Sequence, residues 1–307
     1  MPHSAQSARR APDPGEFFRI ERSPARQVLD FRALDLSPVR LLGRYRYASA
    51  QQQLDVHSHG QMIEICYLES GQQTYEVDGQ AYPLVGGDVF LTFPGEKHGS
   101  GRHPEARGVL YWLLISVSAA RRSFLHLPKR EGQLLLDRLL HPPKRCFAGR
   151  ASLRHTLREI FAVHHDRGTP LFTVELRNLL TRFLLDVAAS AHEQRTVVYS
   201  PDISRAIGHI HHHLEIPLPL AKLAREADLS LPRFKSKFKQ EVGLPPADYI
   251  LRCKIAQAAQ WLYETKQTVT DIALRLGFSS SQYFATVFRR YTLHAPNEAR
   301  AVRVYLS

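Results

Sequence analysis

Leu223-Ala224-Arg225-Glu226-Ala227-Asp228-Leu229-Ser230, followed by Phe234 and Phe238-Lys239, returns further along as Ile272-Ala273-Leu274-Arg275-Leu276-Gly277-Phe278-Ser279, followed by Phe284 and Phe288-Arg289. Ala224 to Ala273 and Ser230 to Ser279 are 49 positions apart, while Phe234 to Phe284 and Phe238 to Phe288 are 50 apart. One residue is therefore added just after the turn. A repeat of this period is one supersecondary unit used twice. In the first copy Leu220, Leu223, Ala224 and Ala227 fall at helical spacing and make one apolar face. Asp228-Leu229 forms a tight turn, and Ser230 is suited to cap the next helix. That helix buries Phe234 and Phe238 and leaves Arg233, Lys235, Lys237 and Lys239 for solvent or phosphate. In the second copy Thr270 is the expected cap, Gly277 the permissive turn residue, and Ser279-Ser280-Ser281-Gln282 the expected capping box. Its second helix buries Phe284 and Phe288 and presents Ser281, Gln282, Ala285, Thr286 and Arg289. A short helix with a positive N-terminus, polar side chains early and cations late suits the major groove. Two such helix-turn-helix units in one chain point to double-stranded DNA.

The stretch between the copies, Gly243-Leu244-Pro245-Pro246-Ala247-Asp248-Tyr249-Ile250-Leu251-Arg252-Cys253-Lys254-Ile255-Ala256-Gln257-Ala258, is similar to the linker helix of the AraC/XylS family of bacterial transcription regulators. Ile272-Ala273, Gly277-Phe278-Ser279, Tyr283-Phe284 and Phe288-Arg289-Arg290, with Pro296 and Arg300 beyond, resemble that family's signature over residues 201–300. The chain departs from it at Thr292-Leu293, where an aromatic-Gly pair is usual, so a different cap is expected there. Pro232 also stands where many members place a contact residue. The resemblance implies base readout by Arg233, Lys235 and Ser236 in the first unit and by Ser281, Gln282 and Thr286 in the second. Lys239 and Arg289, and more weakly Lys237, are implied to hold phosphates. Two recognition helices on one face of the duplex should lie roughly 34 Å apart.

Charge agrees with this partner. The formal net charge is +12, and residues 201–307 hold fifteen Lys/Arg against nine Asp/Glu. A basic surface supplies the salt-dependent, sequence-blind part of DNA affinity. The uncharged Ser281, Gln282 and Thr286 argue against a purely architectural binder, which would favour Lys and Arg there. Three widely spaced cysteines, Cys66, Cys146 and Cys253, speak against a disulfide framework and for the reducing cytoplasm. No run reaches the length of a membrane span, and residues 1–38 read as a basic, loosely attached lead without the apolar core of a signal peptide.

Upstream the period changes. From about Leu41 to Val117 short alternating runs are separated by turn signals. Thr74 to Val77, Asp78-Gly79, then Gln80 to Leu84 is a hairpin sequence with a type I′ turn. Residues 39–118 are therefore expected to form a small antiparallel β-barrel or jelly roll. His57-x-His59-x4-Glu64-x6-Gly71 resembles the first motif of the cupin family, and Gly87-Asp88 with Pro94 and His98 resembles the second. His57 and His59, two apart on a strand, share a face, and Glu64 and His98 could converge on them. Three imidazoles and a carboxylate suit a divalent metal, but the preferred reading is the polar wall of a pocket for a small organic effector, or structural hydrogen bonding. Sensor cupins attached to AraC-type regions imply the second, commonly with a sugar. Arg46, Tyr75 and Trp112 are further candidates for the wall, the last two being equally readable as core.

Residues 119–194 read as a helical region. Leu176, Leu179, Leu180, Phe183, Leu184 and Val187 form one stripe within Leu171–Ala191, suited either to a dimer contact or to packing on the barrel. Residues 195–200 read as a linker to the DNA-binding region 201–307, with helix-turn-helix units at 219–241 and 270–291 and a linker helix at 246–264. His209, His211, His212 and His213 read as a solvated helix face. The whole is an α+β multidomain chain: a cupin-like sensor, then helices, then an all-α DNA-binding domain. Its expected function is sequence-specific, effector-responsive transcription regulation without catalysis, as a homodimer that engages RNA polymerase. The alternative is a metal-dependent cupin enzyme fused to a DNA-binding domain.

Overall fold

Alternation at period two builds the N-terminal half as antiparallel strands. The computed structural model describes residues 25–166, 168–193 and 199–301. The strands are β1 (Arg26–Asp30), β2 (Val39–Tyr47), β3 (Met62–Val77), β4 (Gln80–Val85), β5 (Asp88–Thr92), β6 (His98–Gly99), β7 (Gly108–Ser116) and β8 (Cys146–Ala148). They run in the order β1-β2-β7-β3-β5-β8, with β4 and β6 also pairing to β3. The closed barrel expected from the sequence is thus corrected to an open sheet. The reason lies in β3, whose register shifts between Leu68 and Ser70 and whose Gly71 takes φ 110. Before that point β3 pairs with β5 and β7, and after it with β4 and β6. Asp78 and Gly79, with φ 51 and 78, make the tight turn between β3 and β4.

Both faces of this sheet are buried. Ile63, Ile65 and Tyr67 of β3 and Tyr111, Leu113 and Ile115 of β7 point to one side, whereas Cys66, Leu68, Leu110, Trp112 and Leu114 point to the other. The first side is covered by helices α1 (Val117–Arg122), α2 (Lys129–Leu140), α3 (Ser152–His165) and α4 (Phe172–His192). Leu176, Leu180, Phe183, Leu184 and Val187 of α4 belong to that same core, so the stripe packs on the sheet of its own chain. Each such side chain contributes about 1.5–3 kcal/mol by burial. Two boundaries move. Of the expected lead, residues 1–24 lie outside the described residues, but β1 pairs with β2 along its length and Phe31 and Leu36 are buried, so residues 26–38 belong to the sensor. Within the expected helical region, β8 extends the sheet beside β5.

The C-terminal half is helical: α5 (Pro201–His212), α6 (Leu220–Glu226), α7 (Leu231–Val242), α8 (Pro246–Glu264), α9 (Val269–Arg275), α10 (Ser281–Thr292) and α11 (Pro296–Ala299). Phe234 and Phe238 centre one core with Ile203, Ile210, Leu223 and Ile250, and Phe284 and Phe288 centre another with Ile255, Leu262, Ile272 and Leu276. The helix α8 contributes to both, through Ile250 and through Ile255 with Leu262. None of the described helices is long and apolar enough to cross a membrane.

The two copies differ in their local chemistry. Thr268, not Thr270, caps α9: its hydroxyl accepts from the Asp271 N–H at 3.1 Å and its own backbone N–H donates to the Asp271 carboxylate at 3.2 Å, which completes a capping box. Ser280 caps α10 by accepting from the Tyr283 N–H at 3.1 Å. Asp228 (φ 55) and Gly277 (φ 70) occupy equivalent left-handed turn positions. Gly243 (φ 77) and Leu293 (φ 67) occupy equivalent caps, so Thr292-Leu293 ends its helix as a glycine would, with a side chain in a left-handed conformation. Asp228→Gly is expected to stabilise the chain by about 0.5–1 kcal/mol, and Gly277→Ala to cost about 1–2 kcal/mol. Urea unfolding of both variants checks the opposite signs.

Candidate functional site

Two surfaces carry the sequence-predicted residues. On the first, α7 and α10 are the second helices of the repeated units. Arg233, Lys235, Ser236 and Lys239 on α7 are exposed, as are Gln282, Thr286 and Arg289 on α10, with Ser281 half-buried at its start. Thr286 donates its hydroxyl to the Gln282 carbonyl at 3.0 Å, which fixes its rotamer on the outer face. Lys237 is different. Its ammonium lies 2.6 Å from Asp202 and 3.9 Å from Glu241, so it ties α5 to α7 and is corrected from phosphate contact to intramolecular ion pair. The Asp202 carboxyl is held low, at about 2, by Lys237 and Ser200. Tyr283, half exposed beside the exposed α10 residues, enters the sequence reading as part of the family signature and not as a contact residue.

The second surface is the inner face of the sensor sheet. The N–H groups of His57 and His98 each donate to the other's carbonyl at 2.9 Å, which brings the two rings within 4.3 Å, and His59 stands 4.9 Å from His57. Ligand atoms of His57, His59 and His98 lie within 4.8 Å of one another. Glu64 reaches His98 at 3.0 Å and His59 at 3.5 Å. Burial alone would push the Glu64 acid up, but hydrogen bonds from the two imidazoles outweigh it and hold the carboxylate well below its usual range. Burial would likewise lower His98, and the bond to Glu64 overcomes it and raises the imidazole. Its Nδ1 faces the Glu96 carbonyl at 3.3 Å, so His98 meets an acceptor at each nitrogen and the doubly protonated ring suits both. The Nδ1 of His57 is turned to the Asp55 carbonyl at 2.8 Å, which leaves its Nε2 with a free lone pair.

Beside this cluster stands an aromatic group. Trp112 is directly opposite Cys66 in register, lies flat over Gly43, and approaches Tyr45 at 6.1 Å. It is only 7% exposed, and its indole N–H has no hydrogen-bond partner among the described residues. Arg26 sits over the Tyr45 ring at 4.8 Å, Tyr47 stacks on Tyr45 at 5.6 Å, and the Tyr47 hydroxyl points to Glu105 at 3.5 Å. Burial pushes the Tyr45 and Tyr47 hydroxyls above their ordinary range, and the charges of Glu105 and Glu64 add to this at Tyr45. The structure therefore adds Arg26, Tyr45, Tyr47 and Glu105. Tyr45 and Tyr47 carried a signal, since they alternate on one strand, but Arg26 lay in the segment read as a lead.

Two expected pocket residues fall elsewhere. Tyr75 is core: it stacks on Phe90 at 4.8 Å and its hydroxyl points to the Cys66 sulfur at 3.4 Å. Arg46 alternates with Tyr45 and Tyr47 and so points away from the inner face, into a cleft shared with the helical half. The histidines on α5 are engaged individually, His209 with Glu226 at 3.0 Å and His211 with the Tyr249 hydroxyl at 2.8 Å, in keeping with a helix face rather than a ligand set.

Residues 43–180 match the family described as AraC-like ligand binding domain, and residues 223–301 match the family described as helix-turn-helix domain. The chain is 26% identical over 237 residues to the arabinose operon regulatory protein of Escherichia coli strain K12, covering 75% of this chain and 77% of that protein. It is 24% identical over 252 residues to the transcriptional activator RhaS of Citrobacter koseri, covering 80% and 87%. Among solved structures, the C-terminal domain of AraT from Geobacillus stearothermophilus is 28% identical with a TM-score of 0.34, covering 35% of this chain and 89% of that one.

Burial pushes the Glu105 carboxyl up to about 7 against the opposing influence of Arg26 and Tyr47. With a raised folded-state value, its contribution to stability is full below about 4.5 and is lost as pH rises to about 7. Glu105→Gln should abolish a pH-dependent loss on the order of 3 kcal/mol, read as a flatter melting temperature between pH 4.5 and 7.

Proposed function

Because the chain belongs to the AraC/XylS family of transcription regulators, which bind DNA and respond to small molecules, we propose that its effector is a polyhydroxylated molecule of the sugar class held on the inner face of the sensor sheet. The observation that carries this reading is the buried indole N–H of Trp112, left without a partner next to Tyr45 in a wall that also holds Glu64, Glu105, His59 and His98. A buried donor without an acceptor is costly, and a ligand hydroxyl would satisfy it. A flat indole beside carboxylates and imidazoles suits a ring with an apolar face and a hydroxyl rim. The name of the arabinose operon regulatory protein points to the same class. In a thermal-shift screen of pentoses and 6-deoxyhexoses on the full chain, at least one neutral sugar should raise the melting temperature. Trp112→Phe should weaken that sugar about tenfold, the worth of one hydrogen bond, and an unchanged affinity removes Trp112 from the site.

The convergence of His57, His59 and His98 favours a second component, a divalent cation bound by three nitrogens with Glu64 beside them. It would take the place of the proton that His98 shares with Glu64. Such a cation could complete the effector site, or serve the metal-dependent enzyme alternative. Elemental analysis of the purified chain separates these readings: stoichiometric metal lost on His57→Ala supports the cation, and folded metal-free protein that still binds sugar leaves the organic effector alone. For assembly, we infer a homodimer that uses the exposed Val174 and Leu185 of α4 with Leu171 at its N-cap, measurable by light scattering, with RNA polymerase as a further partner at the promoter.

On DNA, Gln282→Ala should relax sequence preference at a cost of roughly 1–3 kcal/mol, read by binding-site selection. Arg289→Ala should instead weaken all sequences and reduce the salt slope by about one unit. Lys237→Ala is expected to lower stability and leave the salt slope unchanged.

A further inference from the structure

Between the sensor and the helical half lies a cleft of about 550 Å³, within the range that holds small metabolites. Four cations line it, Arg46 and Arg107 from the sensor, Lys239 and Arg290 from the DNA-binding half, against one carboxylate, Asp248. That carboxylate is already engaged. It lies 2.6 Å from Arg107 and 3.8 Å from Arg252, and it accepts a hydrogen bond from the Tyr291 hydroxyl. Arg290 donates to the Tyr291 hydroxyl at 3.3 Å and lies over its ring, and among the described residues no carboxylate lies within ion-pair distance of Arg46, Lys239 or Arg290, so three cations border the cleft without a carboxylate partner of their own. Part of its wall is bare backbone. Gly71 at the bend of β3 pairs there with Gly108 at the start of β7, and a Cβ on Gly71 or Gly108 would lie 2.6 or 2.3 Å from the opposing carbonyl oxygen. No side chain can stand on that wall, which keeps the space beside the cations open.

The geometry points to a second ligand site, which adjoins the sugar site of the inner sheet face at Tyr47 but draws its cations from elsewhere, that takes a small phosphate-bearing anion and bridges the two domains. Guanidinium groups match phosphate oxygens in bidentate geometry, and cations drawn from both halves would be neutralised only while the halves are docked. The ligand therefore favours the docked arrangement. Lys239 is also an exposed residue of α7 at the DNA face, so duplex phosphates and the small anion draw on the same charge. By linkage the anion lowers DNA affinity and DNA lowers anion affinity by the same factor.

The test uses the full chain and inorganic pyrophosphate, with sodium chloride at matched ionic strength as the control. Pyrophosphate at millimolar concentration should raise the melting temperature by several degrees beyond the control and weaken binding to a selected duplex several-fold. The double variant Arg46→Gln with Arg290→Gln should lose the pyrophosphate shift while keeping the shift produced by a neutral sugar. A variant of the outer DNA face, Lys235→Gln with Arg289→Gln, should keep both shifts. No shift in the wild type, or a shift that survives the Arg46/Arg290 double variant, overturns the site. Loss of the shift only in the Lys235/Arg289 variant also overturns it, since the anion would then sit on the DNA surface. Failure of every neutral sugar to bind would count against the inner-face effector and leave this result untouched.

Discussion

Helix α8 is the member on which the arrangement rests. Along its length it gives Ile250 to the first helix-turn-helix core and Ile255, Ala258 and Leu262 to the second. Its polar side chains are equally committed. Lys254, 7% exposed, donates to the Leu276 carbonyl at 2.6 Å and so satisfies the end of α9, where the following Gly277 turns the chain. Burial lowers the Lys254 ammonium below its usual range, the cost of placing a cation there. Arg252, 6% exposed, donates to the Arg107 carbonyl at 2.9 Å and to Gln72 at 3.3 Å, while Asp248 pairs with Arg107. One rigid helix thus sets the separation of the two DNA-reading helices and also holds them to the sensor.

The same strands of the sensor border both proposed sites. Strand β3 carries Glu64 toward its start and Gln72, which accepts from Arg252, past its bend. Strand β7 begins at Gly108, next to Arg107, and carries Trp112 four residues on. Because both faces of the sheet are packed, one by α3 and α4 and the other by its own aromatic interior, a displacement on the inner face has little slack to absorb it. The contacts with the helical half are few and polar, apart from the close approach of the Gly86 and Gly243 backbones, where a Cβ on Gly243 would meet the Gly86 carbonyl oxygen at 2.2 Å. Polar domain contacts of this kind exchange readily with solvent, which suits a joint that must be made and released.

Much of the site was legible in the sequence because its parts are local. His57, His59 and Glu64 were legible as a set from their spacing, but the two histidines expected on a strand stand in the irregular segment before β3, where an isolated bridge joins His57 to His98, and only Glu64 lies on β3. The repeated Phe pairs, the turn at Gly277 and the exposed polar positions of α10 follow from helical period and backbone conformation. What period could not supply was partner choice. Tyr75 and Trp112 read alike as aromatic residues on strands, yet Tyr75 finds Cys66 and Phe90 while Trp112 is left with an unmatched N–H. Arg46 was expected in the effector wall and Lys237 at a phosphate, and the cleft and the Asp202 carboxylate that they meet depend on which element lies opposite.

The sequence by itself determined the two architectures and their functional residue types, because hydrophobic period, turn glycines and caps act within a few residues along the chain. It determined the DNA partner for the same reason, through two copies of one motif. Only the tertiary structure decided that the sheet stays open, that β1 belongs to it, that the α4 stripe packs inward, and that cations from both halves share one cleft. Those outcomes rest on pairings between residues far apart in the chain, such as Arg107 with Asp248, which no local pattern encodes.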